Sequence, residues 1–429
     1  MPARALRALE ERAAEGRPLG VALVGAGTFG TMLLAQARRL RGLRVVGVAD
    51  LSVERCRTAL ARAEWPAGEL PAVTTDAGAL LDAPGVEVVV EATGSPSAGI
   101  AHALAAIERG LHVVMVNVEA DALVGPVLAE RAREAGVVYS LAYGDQPALV
   151  CELVDWARAC GFRVVCAGKG TKHLPAYHHA TPDTVWEPYG IPPEEAAAEG
   201  LNARMFTSFL DGTKSALEMA AVCNATGLSP QEEGLRFPPC GAHELPRVCV
   251  PAPEGALSRA ATVEVVSSLA GDGSEVANDL RFGVYVVFEA EAAYARRSLP
   301  RYGIPTSGGG RYAALHRPYH LIGLETTVSV LAAGLLGEPT GSPDGFRADV
   351  AAVAKRDLAA GEELDGEGGY TVHGRLVPAA RSLEQGLLPI GLAHGTRLLH
   401  PVPAGTAVAR ADVEASAAGE TWALRGALE

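Results

Sequence analysis

Apolar and polar positions alternate along this chain with two different periods, and the period changes part-way. Ala3 to Ala14 has a helical spacing of apolar residues. Leu19 to Val24 is a short continuous apolar run, which predicts a buried strand. It leads into Gly25-Ala-Gly27-Thr28-Phe29-Gly30, and Thr31 to Leu40 continues as a helix. Leu43 to Ala49 is a second strand ending at Asp50, and Val53 to Ala63 is helical. Val86–Glu91, His112–Val116 and Val137–Leu141 read as further strands. They are separated by helices over Ser97–Arg109 and Val124–Ala135. Strands alternating with helices of this length predict a parallel, doubly wound sheet.

After Gly144 the pattern shifts. Leu149 to Cys160 is a helix and Arg163 to Gly168 a strand. Lys169 to Pro193 is polar, aromatic and interrupted by proline, and it reads as a long loop. Met205 to Ala225 reads as one long helix closed by Gly227. Ala261–Leu269 and Leu280–Ala290 alternate like strands of an antiparallel sheet. Gly308-Gly-Gly310 reads as a mobile loop and His320–Leu336 as a last apolar helix. From Asp344 onward a weak repeat stands out. Asp357-Leu-Ala-Ala-Gly-Glu-Glu-Leu364 echoes Pro401-Val-Pro-Ala-Gly-Thr-Ala-Val408, which predicts a small pseudo-symmetric β module. The expected architecture is therefore α/β, in three parts. Residues 1–150 form the dinucleotide-binding domain, 151–343 a central α+β domain for substrate and oligomerisation, and 344–429 the β module.

Composition narrows the function. The net charge is -13, which disfavours nucleic acid and anionic membranes as partners. The first twenty residues lack the apolar stretch of a signal peptide, and no run of 18 apolar residues occurs, so a cytoplasmic location is expected. Seven cysteines without a CxxC read as reduced core thiols. The chain has only four lysines, Lys169, Lys172, Lys214 and Lys355, against 37 Lys and Arg together. Where any positive charge serves, this chain uses arginine, so a retained lysine points to chemistry that needs a compact, titratable ammonium.

Three places carry candidate chemistry. The first is Gly25-x-Gly27-x-x-Gly30 with Thr28 and Phe29, between a strand and a helix, the pattern that cradles a pyrophosphate. Asp50 ends the next strand, where a carboxylate holds the adenosine ribose and favours NAD. Arg55 is near enough to meet a 2′-phosphate, so NADP stays open. Thr93, Gly94 and Asn117 follow later strands and are candidate cofactor contacts. The second place is the stretch with Lys169, Lys172, His173, His178 and His179, suited to acid–base work or to an anionic substrate. The bland alternative is a solvated polar loop. The third is the helix face formed by Asp211, Lys214, Ser215 and Glu218. Lys214 is placed there as proton donor to a carbonyl or alkoxide, and Asp211 as its tuning group or a metal ligand. The bland alternative is a wet face with one ion pair. Lys169, Lys172, Asp211 and Lys214 are the catalytic candidates. Asp145, His173, His178, His179 and His320 are the substrate-binding ones. Asp145 and Asp211 are the candidate ligands for Mg²⁺ or Mn²⁺.

The Rossmann-type unit with Asn117-Val-Glu119 resembles homoserine dehydrogenase. A fuller resemblance rests on Gly144-Asp-Gln-Pro147, Gly168-Lys169 through Pro182-Asp183, Phe209-Leu-Asp-Gly-Thr-Lys214, Asn224-Ala-Thr-Gly227 and His316-Arg-Pro-Tyr-His-Leu-Ile-Gly-Leu-Glu325. It is to homoserine-dehydrogenase-like oxidoreductases with a C-terminal SAF (β-clip) domain. That domain is matched by Ala354-Lys-Arg-Asp357 to Gly369 and by Leu388-Pro-Ile-Gly-Leu392. One branch is the 1-deoxy-D-xylulose 5-phosphate reductoisomerase-like enzymes of isoprenoid biosynthesis. The resemblance implies NADPH, which with Arg55 is set slightly ahead of the NAD that Asp50 favours. It also implies a divalent metal, a homodimer or homotetramer, and reduction coupled to a ketol rearrangement of a small polyhydroxylated substrate, phosphorylated in that branch. Two other readings remain: a dehydratase or lyase with a tightly held dinucleotide, and a non-enzymatic cofactor-sensing scaffold.

Overall fold

The computed structural model describes residues 2–414 and 419–428. By contact the chain forms two compact units. The first is Met1–Glu152 with His320–Gly345, and the second is Leu153–Tyr319 with Phe346–Ala427.

The first unit opens with α1 (Pro2–Ala14), β1 (Leu19–Val24), α2 (Thr28–Ala37), β2 (Leu43–Ala49) and α3 (Val53–Arg62). Next come β3 (Ala72–Thr74), α4 (Ala77–Leu81), β4 (Val88–Glu91) and α5 (Pro96–Glu108). β5 (His112–Met115), α6 (Val118–Glu134), β6 (Tyr139–Leu141) and the start of α7 (Gln146–Ala159) complete this stretch. The six strands form one parallel sheet in the order β3-β2-β1-β4-β5-β6. Strand order reverses between β1 and β4, the switch point outside which such sheets bind ligands. Every residue of β1 and β4 is buried, as expected of strands covered on both faces. α6 starts six residues earlier than its periodicity implies. Asn117 caps it by accepting the Ala120 N–H at 3.1 Å, and the buried Glu119 and Asp121 interrupt the apolar stripe of its first turns.

The second unit opens its sheet with β7 (Arg163–Thr171). Short helices α8 (Trp186–Tyr189) and α9 (Pro193–Ala198) precede α10 (Ala203–Leu210) and α11 (Thr213–Thr226). The expected single helix over 205–225 is thus two. Gly212 sits at φ +88 between them, a left-handed conformation that ends one helix and begins the next. After α12 (Leu245–Val248) come β8 (Thr262–Ser267), β9 (Val284–Glu289), α13 (Ala293–Ser298), β10 (Thr306–Ser307) and β11 (Tyr312–Arg317). The sheet order is β10-β11-β9-β7-β8. β8 runs parallel to β7 while β9 is antiparallel to it, so the sheet is mixed rather than antiparallel throughout. The triple glycine at 308–310 forms a short 3-10 turn with Gly308 and Gly309 exposed. Gly310 is buried, and a Cβ there would lie 2.1 Å from the Arg296 carbonyl oxygen.

The chain then returns to the first unit over His320–Gly345. Only α14 (Thr327–Leu331) and a wide π turn over Ala332–Leu336 are helical in the segment expected to form one long helix. Gly323, at φ +70, lies so close to α2 that a Cβ would meet the Phe29 oxygen at 2.5 Å. That approach excludes a regular helix through it. Val330 and Leu331 join the core beneath β1.

The C-terminal part contains β12 (Ala348–Ala354), β13 (Glu363–Leu364), β14 (Val372–Pro378), α15 (Ala379–Glu384), β15 (Thr396–Arg397) and α16 (Glu420–Gly426). β12 pairs with β14 and β13 with β15, all antiparallel. The two repeat segments meet: Leu358 and Val402 exchange backbone hydrogen bonds at 2.9 and 3.0 Å. This part packs into the second unit through α11, which contacts β7 and β8 as well as β12 and β14. Twelve of the fourteen residues of α11 are buried, as expected of a helix covered on all sides.

Candidate active site

In the first unit the loop after β1 shows why each glycine is there. Gly25 has φ +107, and a Cβ on it would lie 2.4 Å from the Ala92 oxygen. A Cβ on Gly30 would lie 2.3 Å from the Gly25 oxygen. Both are required by the chain itself. Gly27 is different: its φ is -76, and a Cβ there meets nothing within 4 Å. Nothing in the protein demands glycine at 27. A pyrophosphate lying on the backbone at the start of α2 does, and the residues fit such a cofactor. Thr28 and Phe29 form the first turn of that helix.

Asp50 has a nearly buried side chain. Its Oδ2 accepts the Ala26 N–H at 2.8 Å, and Arg55 stands 3.4 Å from Oδ1. The carboxylate therefore ties the end of β2 to the phosphate loop. Arg55 is beside this anion, with its side chain mostly exposed to solvent. Thr93 donates its hydroxyl to buried Glu91 at 2.5 Å, and His102 lies 3.2 Å from the same oxygen. Asn117 donates to the Ser95 carbonyl at 2.8 Å while capping α6. It thus fastens together the loops after β4 and β5, and Gly94 (φ +71) lies between Thr93 and Ser95. Asp145 accepts the Gln146 N–H at 2.9 Å where α7 begins. His320 belongs to this unit and is apart in the chain's organisation from the other histidine candidates.

The second unit holds the lysines. β7 runs on to Thr171, so Lys169 is a strand residue and not part of a loop. It is buried and paired with the buried carboxylate of Glu218 on α11. Lys214 lies one turn before Glu218 and shares its face of the helix. Lys172, just past β7, donates to the Pro188 carbonyl and sits 5.8 Å over the Tyr189 ring. Burial, with Arg281 nearby, lowers its pKa.

The break at Gly212 takes Asp211 off the Lys214 face, which corrects the expected four-residue face. Asp211 is fully buried. It accepts the Thr213 N–H at 2.9 Å and pairs with Lys355 at 2.8 Å. Lys355 also donates to the carbonyls of Ala180 and Gly369 at 2.6 and 2.7 Å. Burial raises the Asp211 pKa, and the Lys355 charge opposes the rise. A carboxylate engaged in this way does not fit a metal ligand. Among the described residues no group of three His, Cys, Asp or Glu is placed to hold a metal.

The histidines cluster. His173 is buried, stacks on Phe237 with centroids 3.9 Å apart, and is pushed down to about 3 by burial and by His178. His178 stacks on His373 at 4.8 Å, and His179 reaches the Lys355 carbonyl at 2.8 Å. Lys355, Glu218 and His373 were not assigned roles by the sequence. The lysine scarcity applies to Lys355 as much as to the other three and was the available signal. His373 carried none.

Two family models match. Residues 20–141 match the homoserine dehydrogenase NAD binding domain, and residues 144–326 match the catalytic domain of oxidoreductase DRL. No curated protein sequence matches the chain. Solved structures are similar at a distance. A homoserine dehydrogenase from Thiobacillus denitrificans is 17% identical, over 80% of this chain and 83% of that one, at a TM-score of 0.46. 1-Deoxy-D-xylulose 5-phosphate reductoisomerase from Zymomonas mobilis in complex with NADPH is 20% identical, over 48% and 57%, at 0.34. Myo-inositol dehydrogenase from Lactobacillus casei in complex with NAD(H) and myo-inositol is 17% identical, over 39% of this chain and 50% of that one, at 0.29. The chain thus spans about half the length of that dehydrogenase. No helix among the described residues is long and apolar enough to cross a membrane. A segment that matches a homoserine dehydrogenase NAD binding domain is thus followed by one that matches an oxidoreductase catalytic domain.

Proposed function

We propose that this protein transfers hydride between NAD(H) and a small polyhydroxylated substrate at a carbonyl/hydroxyl carbon. The observation that carries the reading is the Lys169–Glu218 pair with Lys214 one turn away, in a chain that otherwise avoids lysine. Bound reduced nicotinamide supplies the hydride. Glu218 holds the Lys169 ammonium in place as a fixed positive charge for a substrate oxygen. Lys214 donates the proton that the oxygen needs as its carbonyl becomes an alcohol, and takes it back in the oxidative direction. Asp211 is a positioning residue: through Thr213 and Lys355 it fixes where α11 begins. No step is routed through a metal, because the residues described do not fit one.

NAD(H) is favoured over NADP(H) by Asp50. A 2′-phosphate beside this carboxylate meets like charge, and Arg55 is already paired with it. A second reading adds a carbon-skeleton rearrangement before reduction, as in the reductoisomerase-like branch. The match of residues 144–326 to the oxidoreductase DRL catalytic domain supports it.

The test is a screen of keto-polyols and their phosphates for NADH and NADPH oxidation, with product analysis by NMR. Lys214→Arg is assayed beside the wild type. Arginine keeps the charge but holds its proton too tightly to donate it. The expected loss in kcat is roughly 10²–10⁴-fold, as for removal of a general acid. Near wild-type turnover would return Lys214 to an ordinary surface position. A product with a rearranged skeleton would select the second reading.

A further inference from the structure

A cavity of about 300 Å³ lies within the second unit, where the C-terminal β module meets the α10–α11 turn. Its wall includes Gly212, Phe237, His178, His179, His373 and Arg375. Lys169, Lys172 and Lys214 are not part of that wall. It is an open cleft that shares α11, through Ala216, with the lysine site, and nothing in the proposed hydride transfer uses it.

The chemistry of its wall is unusual. His178 Nδ1 lies 2.8 Å from the Asp211 carbonyl oxygen, and His179 Nδ1 lies 2.8 Å from that of Lys355. A carbonyl oxygen only accepts, so both Nδ1 atoms carry the hydrogen. In the neutral ring that leaves each Nε2 as an acceptor lone pair. Burial lowers the pKa of His178 and His373, which keeps these rings neutral. His373 is nine-tenths buried, lines the cavity, and its Nδ1 has no hydrogen-bond partner. An imidazole nitrogen left so in a protein interior is costly unless something meets it. The other polar groups are Arg375, a donor, and the Glu233 carboxylate, an acceptor. Arg375 already donates to the Gly405 carbonyl at 3.0 Å, and exposed Glu233 faces Arg381 at 3.9 Å, so among the described residues the cleft presents no cluster of cations for a strong anion. Phe237, Val353 and Leu376 give it apolar faces.

We propose that this cavity is a second small-molecule site, for a neutral polyol of roughly sugar size or smaller, at the lower end of ligand-pocket volumes. Hydroxyl groups both donate and accept, which suits the Nε2 acceptors of His178 and His179 beside a guanidinium and a carboxylate. C–H faces of the polyol lie against Phe237 and the aliphatic residues. Gly212 is in the wall, so an occupant also braces the turn from which α11, with Lys214 and Glu218, begins.

The experiment is isothermal titration of the full-length protein with tetritols, pentitols, hexoses and cyclitols, and separately with inorganic phosphate and Zn²⁺. It is repeated on His179→Phe, Arg375→Met and Lys214→Arg, with melting curves for each. The expected result is binding of at least one neutral polyol. That binding should weaken tenfold or more in His179→Phe and in Arg375→Met at unchanged melting temperature, and should persist in Lys214→Arg. Polyol binding that ignores both cavity substitutions would overturn the proposal, as would binding lost only in Lys214→Arg. So would phosphate or Zn²⁺ binding in place of any polyol. Should one cavity variant melt early, the other decides the matter. The proposed hydride transfer fails separately, by turnover surviving in Lys214→Arg.

Discussion

Asp211 and Lys355 meet in the interior of the second unit, 2.8 Å apart and both essentially without solvent exposure. One belongs to the turn between α10 and α11, the other to the residue just past β12. The pair therefore fastens the C-terminal module to the turn that launches the lysine-bearing helix. Lys355 donates to two backbone carbonyls and stands against the Asp211 carboxylate, so its desolvation is offset.

Removing one partner leaves the other charge buried alone. Lys355→Met is expected to destabilise the protein by about 3–5 kcal/mol, the range for breaking a buried ion pair. Adding Asp211→Asn to Lys355→Met should recover part of that loss, because the stranded carboxylate is then neutral. Urea denaturation of the two singles and the double, analysed as a cycle, measures the coupling. Additive losses would show that the two side chains act independently.

Gly27→Asp should abolish dinucleotide binding while leaving the fold intact. Residue 27 has backbone angles any residue adopts, and a Cβ there meets nothing, so stability should change by less than about 0.5 kcal/mol. The added carboxylate would stand where the pyrophosphate approaches. Calorimetry with NADH and a melting curve on the same sample check both halves. Unchanged affinity would remove the cofactor from this loop.

Asp50→Ser should shift cofactor preference. The wild-type kcat/KM is expected to be higher with NADH, and the substitution should raise the NADPH-to-NADH ratio by about tenfold or more, equivalent to 1.4 kcal/mol. It also frees Arg55 to meet a 2′-phosphate. The Ala26 N–H loses its partner, so some affinity for both cofactors should fall. A wild-type preference for NADPH would reverse the reading of Asp50.

Glu264 on β8 gives a pH prediction. It is fully buried, and burial pushes its pKa up to about 8, although three backbone N–H groups, of Arg236, Phe237 and Val265, donate to one of its oxygens. Unfolded, it titrates near 4.3. Between those values the folded protein holds a proton that the unfolded chain has lost, so stability falls as pH rises through this window and levels off above about 8. Glu264→Gln keeps the acceptor oxygen and removes the titration. Urea midpoints between pH 5 and 8 should then decline less steeply than in the wild type. Parallel slopes would show that Glu264 is ionised throughout.

Much of the first unit was legible in the sequence because its determinants are local. β1 and β2 fall at the predicted residues, since a fully buried strand is a continuous apolar run bounded by turn residues. The glycine loop announces itself by its spacing, although only Gly30 is demanded locally, by the Gly25 oxygen; Gly25 answers to Ala92, just past β4. The second unit was read less well. Gly212 costs a helix only about 1 kcal/mol on propensity, so periodicity ran straight through it. Only the tertiary structure puts it at φ +88. That angle moves Asp211 from the Lys214 face to Lys355. The same holds for the returning segment at 320–345, whose place under β1 depends on Val330 and Leu331 finding the first unit's core. Alternation and turns are written in neighbouring residues and can be read there. Which distant carboxylate answers which lysine, and which histidines share a cavity, depends on how elements far apart in the chain pack together.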